Sequence, residues 1–417
     1  MRIAFDIASN WESRGGVWRY GLELARALGQ LLPTGSVRIP CFDLLPPERL
    51  AELRATGASV GNNPVLRRVD RLDAMSKTTG RFVPWSRVLP AVYRPWMRDR
   101  LIASGLGACD LYHGVYACRG RPRGAAVVGT IQDMLPVVYP ELCGISPEFQ
   151  HRMVETHRRW ADLVIVPSAA TRDDVTRLTR IPADRIRTVH HGIDHAQFHT
   201  RAPVPADLLA RHGLTPGRFF LYVGSIERRK NIDRMVRAYL QATPAAADVP
   251  LVISGAPVHD IPALRDAEAS GDRRVRVIGY AGDADLAGLY AAARALIHVA
   301  FVEGFGFTPL EAMACGTPAI VSAIGSSAEV VGAAGLAVDP HDEGAIAAAI
   351  RALGSDDALH RQLTATGLTR AREFTWEACA RQTLAVYAEA IEMSRRRASP
   401  TEPDSPEVSP TPARIDA

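Results

Sequence analysis

Short apolar runs alternate with helix-length amphipathic stretches along most of the 417-residue chain. That alternation marks βα units and parallel sheets, whose strands are covered on both faces and therefore read as unbroken apolar runs. In the first half, strands are predicted near residues 2–7, 37–42, 110–113, 125–131 and 163–167. Residues 17–29, VWRYGLELARALG, carry apolar positions at helical spacing and stop on glycine, which predicts a helix. A second series begins at Arg218, with strands predicted at 219–223, 251–254, 276–278, 295–299, 319–321 and 336–338. Two series in succession predict an α/β chain of two doubly wound domains, 1–195 and 196–394, joined by a proline-bearing linker near 194–217. From Ser355 to about Arg395 the pattern is purely helical. Residues 395–417 hold five prolines and no apolar period, which predicts a disordered tail.

Composition narrows the class. Hydrophobic residues at 47% and charged residues at 23% exclude a disordered or fibrous chain. A mean hydropathy of -0.02, with no long apolar run, offers no membrane span. The start, MRIAFDIA, turns acidic too soon for a signal peptide and reads as a first strand. Six scattered cysteines without a C-x-x-C pair argue against a zinc or disulfide scaffold and fit a reducing cytoplasm. The net charge of +4 is too small to suggest nucleic acid as a partner. Residues 65–100, however, hold nine basic residues against three acidic ones, together with Phe82, Trp85, Tyr93 and Trp96. That mixture suits either a solvated loop or peripheral contact with an anionic membrane. Only two of the 49 basic residues are lysine, Lys77 and Lys230, which draws attention to the second, beside a glycine turn.

Three stretches carry candidate chemistry. After the first strand, SNWESRGG ends on Gly15 and Gly16 before a helix. A diglycine there lets a phosphate approach the backbone at a helix N-terminus, or is simply a flexible turn; it matches neither G-x-G-x-x-G nor a P-loop. The second domain opens with LYVGSIERRKN, in which Gly224 precedes three consecutive cations, Arg228, Arg229 and Lys230, at the start of a helix predicted over 232–242. Cations there oppose the helix dipole, and a bound diphosphate would relieve the conflict. The third stretch is FVEGFGFTPLEAMACGTP. Thr308 suits an N-cap, Pro309 the first helical position and Glu311 the third, a capping box that accounts for Glu311 structurally. Glu303, before Gly304, Phe305 and Gly306, has no such account and suits a hydroxyl acceptor. Ser326 and Glu329 repeat the capping-box spacing.

Together these stretches resemble the GT-B retaining glycosyltransferases of glycosyltransferase family four, over roughly residues 1–390. Glu303-x7-Glu311 matches the family's E-x7-E donor signature, VGSIERRKNI its phosphate-binding turn, RGGVWRYGLELARAL its glycine loop, and HHGIDHAQF its inter-domain segment. The resemblance implies two Rossmann-like domains facing across a cleft, the first on the acceptor side and the second binding a nucleotide diphosphate sugar as co-substrate, with no cofactor. It implies that Arg229 and Lys230 hold the donor diphosphate, with Gly15, Gly16 and Gly224 close to it. Glu311 would take the ribose hydroxyls, and Glu303 with Gly304, Phe305 and Gly306 the transferred sugar. No Asp-x-Asp pair lies where a metal would chelate the diphosphate, so metal-free transfer is expected, with fixed cations stabilising the leaving group.

The sequence departs from the family at two positions. Ser225 stands where arginine is common, which leaves more of the neutralising to Arg229 and Lys230. Gln132 stands where a histidine beside the reacting sugar is usual; it can hydrogen-bond but not exchange a proton. Asp133 either assists the acceptor hydroxyl or caps the following turn, and His113, His190 and His191 either reach the cleft or stand by it. The R-K-N turn resembles the branch using GDP-mannose in surface-polysaccharide assembly, with a glycan or lipid-linked acceptor. A nucleotide-sugar 2-epimerase and a catalytically degenerate binding subunit are the alternatives.

Overall fold

The computed structural model describes residues 1–7, 15–41, 45–62, 108–244 and 249–398. Seven strands form the first sheet: β1 (Ile3–Asp6), β2 (Val37–Cys41), β3 (Ser59–Asn62), β4 (Leu111–Gly114), β5 (Ala126–Thr130), β6 (Leu163–Val166) and β7 (Ile186–Thr188), in spatial order 3-2-1-4-5-6-7. Six form the second: β8 (Phe220–Val223), β9 (Leu251–Ser254), β10 (Val275–Gly279), β11 (Ala295–His298), β12 (Ala319–Ser322) and β13 (Leu336–Val338), in order 10-9-8-11-12-13. Neighbouring strands run parallel in both sheets. β1, β4, β6, β9, β11 and β12 are buried along their whole length, as strands sandwiched between helices must be. Among the described residues no helix is long and apolar enough to cross a membrane.

Strand order reverses between β1 and β4 and again between β8 and β11. Crevices at such switch points, beyond the strand C-termini, are where open parallel sheets bind ligands. Gly15 and Gly16 follow β1, Gly224 follows β8, and Glu303 to Gly306 follow β11.

Two strands went unanticipated, β3 and β7. Both lie at sheet edges, where one side needs no apolar cover, and Ser-Val-Gly-Asn and Ile-Arg-Thr show no apolar run. The terminal helix Trp376–Ala398 corrects the expected chain-order division. It packs on the first domain, where Cys379, Ala380, Val386, Tyr387 and Ala390 share a core with Leu24 and Leu28. The helix also runs four residues into the expected tail, and Arg397 pairs with the buried carboxylate of Asp162. The rest of that tail, 399–417, and the basic aromatic segment 65–100 lie outside the described residues.

Candidate active site

β8 runs into Gly224, whose backbone adopts φ 144°. A Cβ on Gly255 would lie 1.8 Å from the Gly224 carbonyl oxygen, so the two turns cross at a distance only glycine allows. The helix starts at Ile232 as expected, and the three cations before it form a turn of their own. Arg228–Lys230 form a single 3-10 turn, Asn231 takes the left-handed conformation at φ 58°, and the helix starts afresh at Ile232. The Asn231 amide holds that conformation by donating to the carbonyls of Val299 (3.0 Å) and Pro340 (2.7 Å). The turn is thereby tied to the end of β11, and Phe301 N donates to Arg229 O at 3.0 Å.

That tie brings the second and third sequence stretches together. The buried Lys230 ammonium donates to Glu303 Oε1, and Arg229 Nη1 lies 3.6 Å from Glu303 Oε2. Arg229 Nη2 pairs with Glu227 Oε1 at 2.7 Å, and Ser225 Oγ donates to the same oxygen at 2.6 Å. The cations are thus matched by two carboxylates, not left facing a helix end. Burial lowers the Lys230 pKa against the pull of Glu303. Burial alone would raise Glu303, but Lys230, His298 and Arg229 override it and hold the carboxyl well below its ordinary range. Lys230 and Glu303 are each other's main counter-charge.

Glu311 is not a cap. Its helix, Phe307–Ala314, begins after Gly306 at φ 105°, which places Thr308 inside the helix and leaves the capping box unmade. The 3%-exposed Glu311 instead accepts from Arg19, on helix Gly16–Leu31 of the first domain, and from Tyr290 OH at 3.0 Å. Arg19 also lies over the rings of Phe198 and Phe307, at 5.2 and 5.3 Å. Burial works against its charge, but Glu311 more than offsets this and raises its pKa. Gly16, one turn earlier, approaches Phe307 closely enough that a Cβ would stand 3.4 Å from the ring.

The second capping box is also unmade. Ser326 Oγ donates to Glu303 O at 2.6 Å, fixing the backbone beneath that carboxylate. Glu329 reaches into the other domain, accepting from Ala169 N (2.8 Å), Ala170 N (3.3 Å) and His190 Nε2 (2.7 Å). The Gly304 carbonyl crosses the same boundary to Ser168 Oγ and Thr171 Oγ1, at 3.1 and 3.2 Å. Phe305 is buried against His191 and Phe307, a packing residue of this junction. Asp133 Oδ1 accepts from Leu135 N at 3.1 Å, the turn-capping bond, and burial raises its pKa. Gln132 Oε1 lies 2.9 Å from His191 Nε2. His113 does not reach the cleft, since Tyr387 OH (2.6 Å) and Thr130 Oγ1 (2.7 Å) engage its two nitrogens in the interior.

Arg19, Tyr290 and Glu329 were not singled out for the site by sequence, and His191 was left open. Arg19 and Glu329 act across the domain boundary, which no spacing reveals, and Tyr290 sits on a helix whose apolar run reads as core.

The model for Glycosyltransferase Family 4 matches residues 14–197, and that for Glycosyl transferases group 1 matches residues 210–370. O-antigen chain mannosyltransferase B of Escherichia coli is 38% identical over 232 residues, 54% of this chain and 60% of that protein. D-inositol 3-phosphate glycosyltransferase 1 of Catenulispora acidiphila is 32% identical over 302 residues, 68% of this chain and 71% of that one. The chain spans 60% and 33% of the lengths of the Escherichia coli mannosyltransferases B and WbdA. In fold it resembles Anabaena HepE, crystallised with UDP and glucose, at TM-score 0.69 and 18% identity over 93% of this chain and 100% of that one. WaaG, a lipopolysaccharide-biosynthesis glycosyltransferase, superposes at TM-score 0.60 and 17% identity over 94% and 98%. With two doubly wound domains meeting at their switch points and an E-x7-E pair at the junction, the chain belongs to the group 1 glycosyltransferases of GT-B fold.

Proposed function

We propose that the chain transfers a hexose, mannose from GDP-mannose, with retention of configuration to a glycan or lipid-linked acceptor in surface-polysaccharide assembly. The observation that carries this reading is the buried Lys230–Glu303 pair with Arg229 beside it at the second switch point. It is a charge cluster that can exchange partners. An arriving diphosphate takes the two cations, and the released Glu303 carboxylate then accepts from hydroxyls of the donor sugar. As the sugar–phosphate bond breaks, charge grows on the leaving diphosphate, where fixed cations act most strongly. A leaving phosphate oxygen takes the proton of the acceptor hydroxyl, so the step needs no side-chain base, and Gln132 is compatible with it. Glu311 exchanges Arg19 for the ribose hydroxyls. Mannose is favoured by the mannosyltransferase relatives, while the inositol-phosphate glycosyltransferase relatives keep other sugars in view.

The test is release of nucleoside diphosphate from a panel of GDP-, UDP- and dTDP-sugars, with and without acceptor glycans. Acceptor-dependent release of GDP from GDP-mannose, lost in Lys230→Met, supports the reading. Release from another donor moves the sugar assignment. Acceptor-independent release with a glycal product supports a 2-epimerase, and release from no donor a binding subunit.

A further inference from the structure

The Gln132 amide and the His191 imidazole form a pair whose outer atoms are unused. Among the described residues, Gln132 Nε2 and His191 Nδ1 are both buried without a hydrogen-bond partner. Between them, His191 Nε2 and Gln132 Oε1 stand 2.9 Å apart. An amide oxygen only accepts, so the imidazole donates from Nε2 and its Nδ1 is bare. Burial brings the His191 pKa down to about 3, so the ring is neutral and carries one proton. If the amide turned over, its NH2 would face the ring. The ring proton would then have to move to Nδ1, leaving a buried N–H there with no acceptor. In the arrangement seen, both Gln132 N–H bonds lack a partner among the described residues.

The ring cannot swing away. It stacks at 15° on Phe307 (5.4 Å) and at 25° on Trp376 (6.1 Å), with Tyr20 at 4.2 Å and Phe305 at 4.9 Å. Gly192 lets the terminal-helix junction close over it, for a Cβ there would meet Trp376 N at 2.2 Å. Phe305 and Phe307 belong to the loop of Glu303, so one loop sets both the carboxylate and this ring. Gln132 itself lies against that loop, its carbonyl oxygen 2.6 Å from where a Cβ of Gly304 would be.

We infer that His191 is a positioning residue that locks the Gln132 amide so that its NH2 donates to an oxygen of the bound nucleotide sugar. The inference rests on the transferase reading above.

The experiment is a double-mutant cycle in the full chain, with kcat and nucleotide binding measured for each variant. His191→Phe keeps the stacked ring and removes the donor; His191→Gln returns an N–H near the Nε2 position. Expected are a fall of about tenfold or more in kcat for His191→Phe, partial recovery in His191→Gln, and no further fall when His191→Phe is added to Gln132→Ala, since coupled residues do not add. Gln132→Ala should weaken nucleotide-sugar binding while sparing the nucleoside diphosphate; equal weakening of both would move the contact to a phosphate oxygen and overturn the sugar assignment. Multiplying losses in the double variant would overturn the positioning role, as would an inactive His191→Gln that melts at the wild-type temperature. If His191→Phe does not fold, the cycle of His191→Gln with Gln132→Ala reads the same coupling. An inactive wild type defeats the transferase reading and this inference with it, whereas an active wild type with additive variants defeats the inference alone.

Discussion

The Arg19 guanidinium of the first domain donates to the Glu311 carboxylate of the second, the residue the E-x7-E pattern assigns to the ribose. The ion pair therefore joins the two domains through the carboxylate proposed above to take the ribose hydroxyls. Among the described residues, Tyr290 is the hydrogen-bond partner left to the Glu311 carboxylate if Arg19 is removed. Breaking a pair with one deeply buried member costs about 3 kcal/mol, here toward the lower side because 31% of the Arg19 side chain meets water. Arg19→Ala should melt below the wild type when nucleotide-free. Ribose hydroxyls would then refill the vacated acceptor, so the melting shift on adding GDP or UDP should exceed that of the wild type. A smaller shift would mean that Arg19 itself holds the nucleotide.

Acid should weaken the site through Glu303. Its carboxyl sits well below the ordinary value of 4.5 in the folded chain, so its stabilisation is complete above about pH 4.5 and is lost as pH falls through the folded value. Glu303→Gln removes that titration. Melting temperature followed from pH 6 to pH 3 should fall less steeply in Glu303→Gln than in the wild type. Parallel curves would mean that Lys230 is not the main counter-charge. Lys230→Met at pH 7 should retain its fold through the Arg229 and His298 contacts while losing about a hundredfold or more in turnover, as when a transition-state donor is removed.

What the sequence disclosed follows from how local each feature is. β9, β13 and the helix Ile232–Ala242 lie at their expected positions, because continuous apolar runs and 3.6-residue spacing are written in adjacent residues. Glu303, Arg229 and Lys230 were singled out by motif, and the structure brings their side chains into contact. Both capping boxes failed for one reason: the spacing fits, but a glycine with positive φ, Gly306 or Gly325, starts each helix and frees the acid for the other domain. Glu311 and Glu329 meet partners 292 and 139 residues away, and such contacts leave no local trace. The terminal helix was placed with its chain neighbours for the same reason.

Gly304 tests how closely the domains must approach. A Cβ there would lie 2.6 Å from the Gln132 carbonyl and 3.3 Å from Asp133 Cβ, and the nearer atom is backbone. Gly304→Ala must push the Gln132–Asp133 turn from the donor loop or hold the domains apart. The Lys230 and Glu311 side chains are untouched, so nucleoside diphosphate binding should persist while kcat drops about tenfold or more, the scale on which a 1 Å misplacement acts. Retained kcat would show that the junction has slack.

Glu329 adds a further set of inter-domain bonds, and its removal should loosen the cleft. The carboxylate receives the first N–H groups of helix Ala169–Leu178, where the helix dipole favours an anion, together with His190 Nε2. Burial opposes the charge, yet His190, Ala169 and Ala170 outweigh it and keep the carboxyl below its ordinary 4.5. Its contribution is therefore present above about pH 4.5 and fades as pH drops through the folded value. Glu329→Gln keeps the length but turns an NH2 toward backbone donors or leaves a neutral acceptor, losing about 1–2 kcal/mol as a charged hydrogen bond becomes a neutral one. Because the lost bond spans the domains, the radius of gyration from small-angle scattering should rise in Glu329→Gln at pH 7. The wild type should approach the same value as acidification carries the pH through the folded value, below 4.5. An unchanged radius would mean that the terminal helix Trp376–Ala398 and the bonds of Glu311 and Gly304 hold the domain arrangement without Glu329, which then serves only to cap its neighbour.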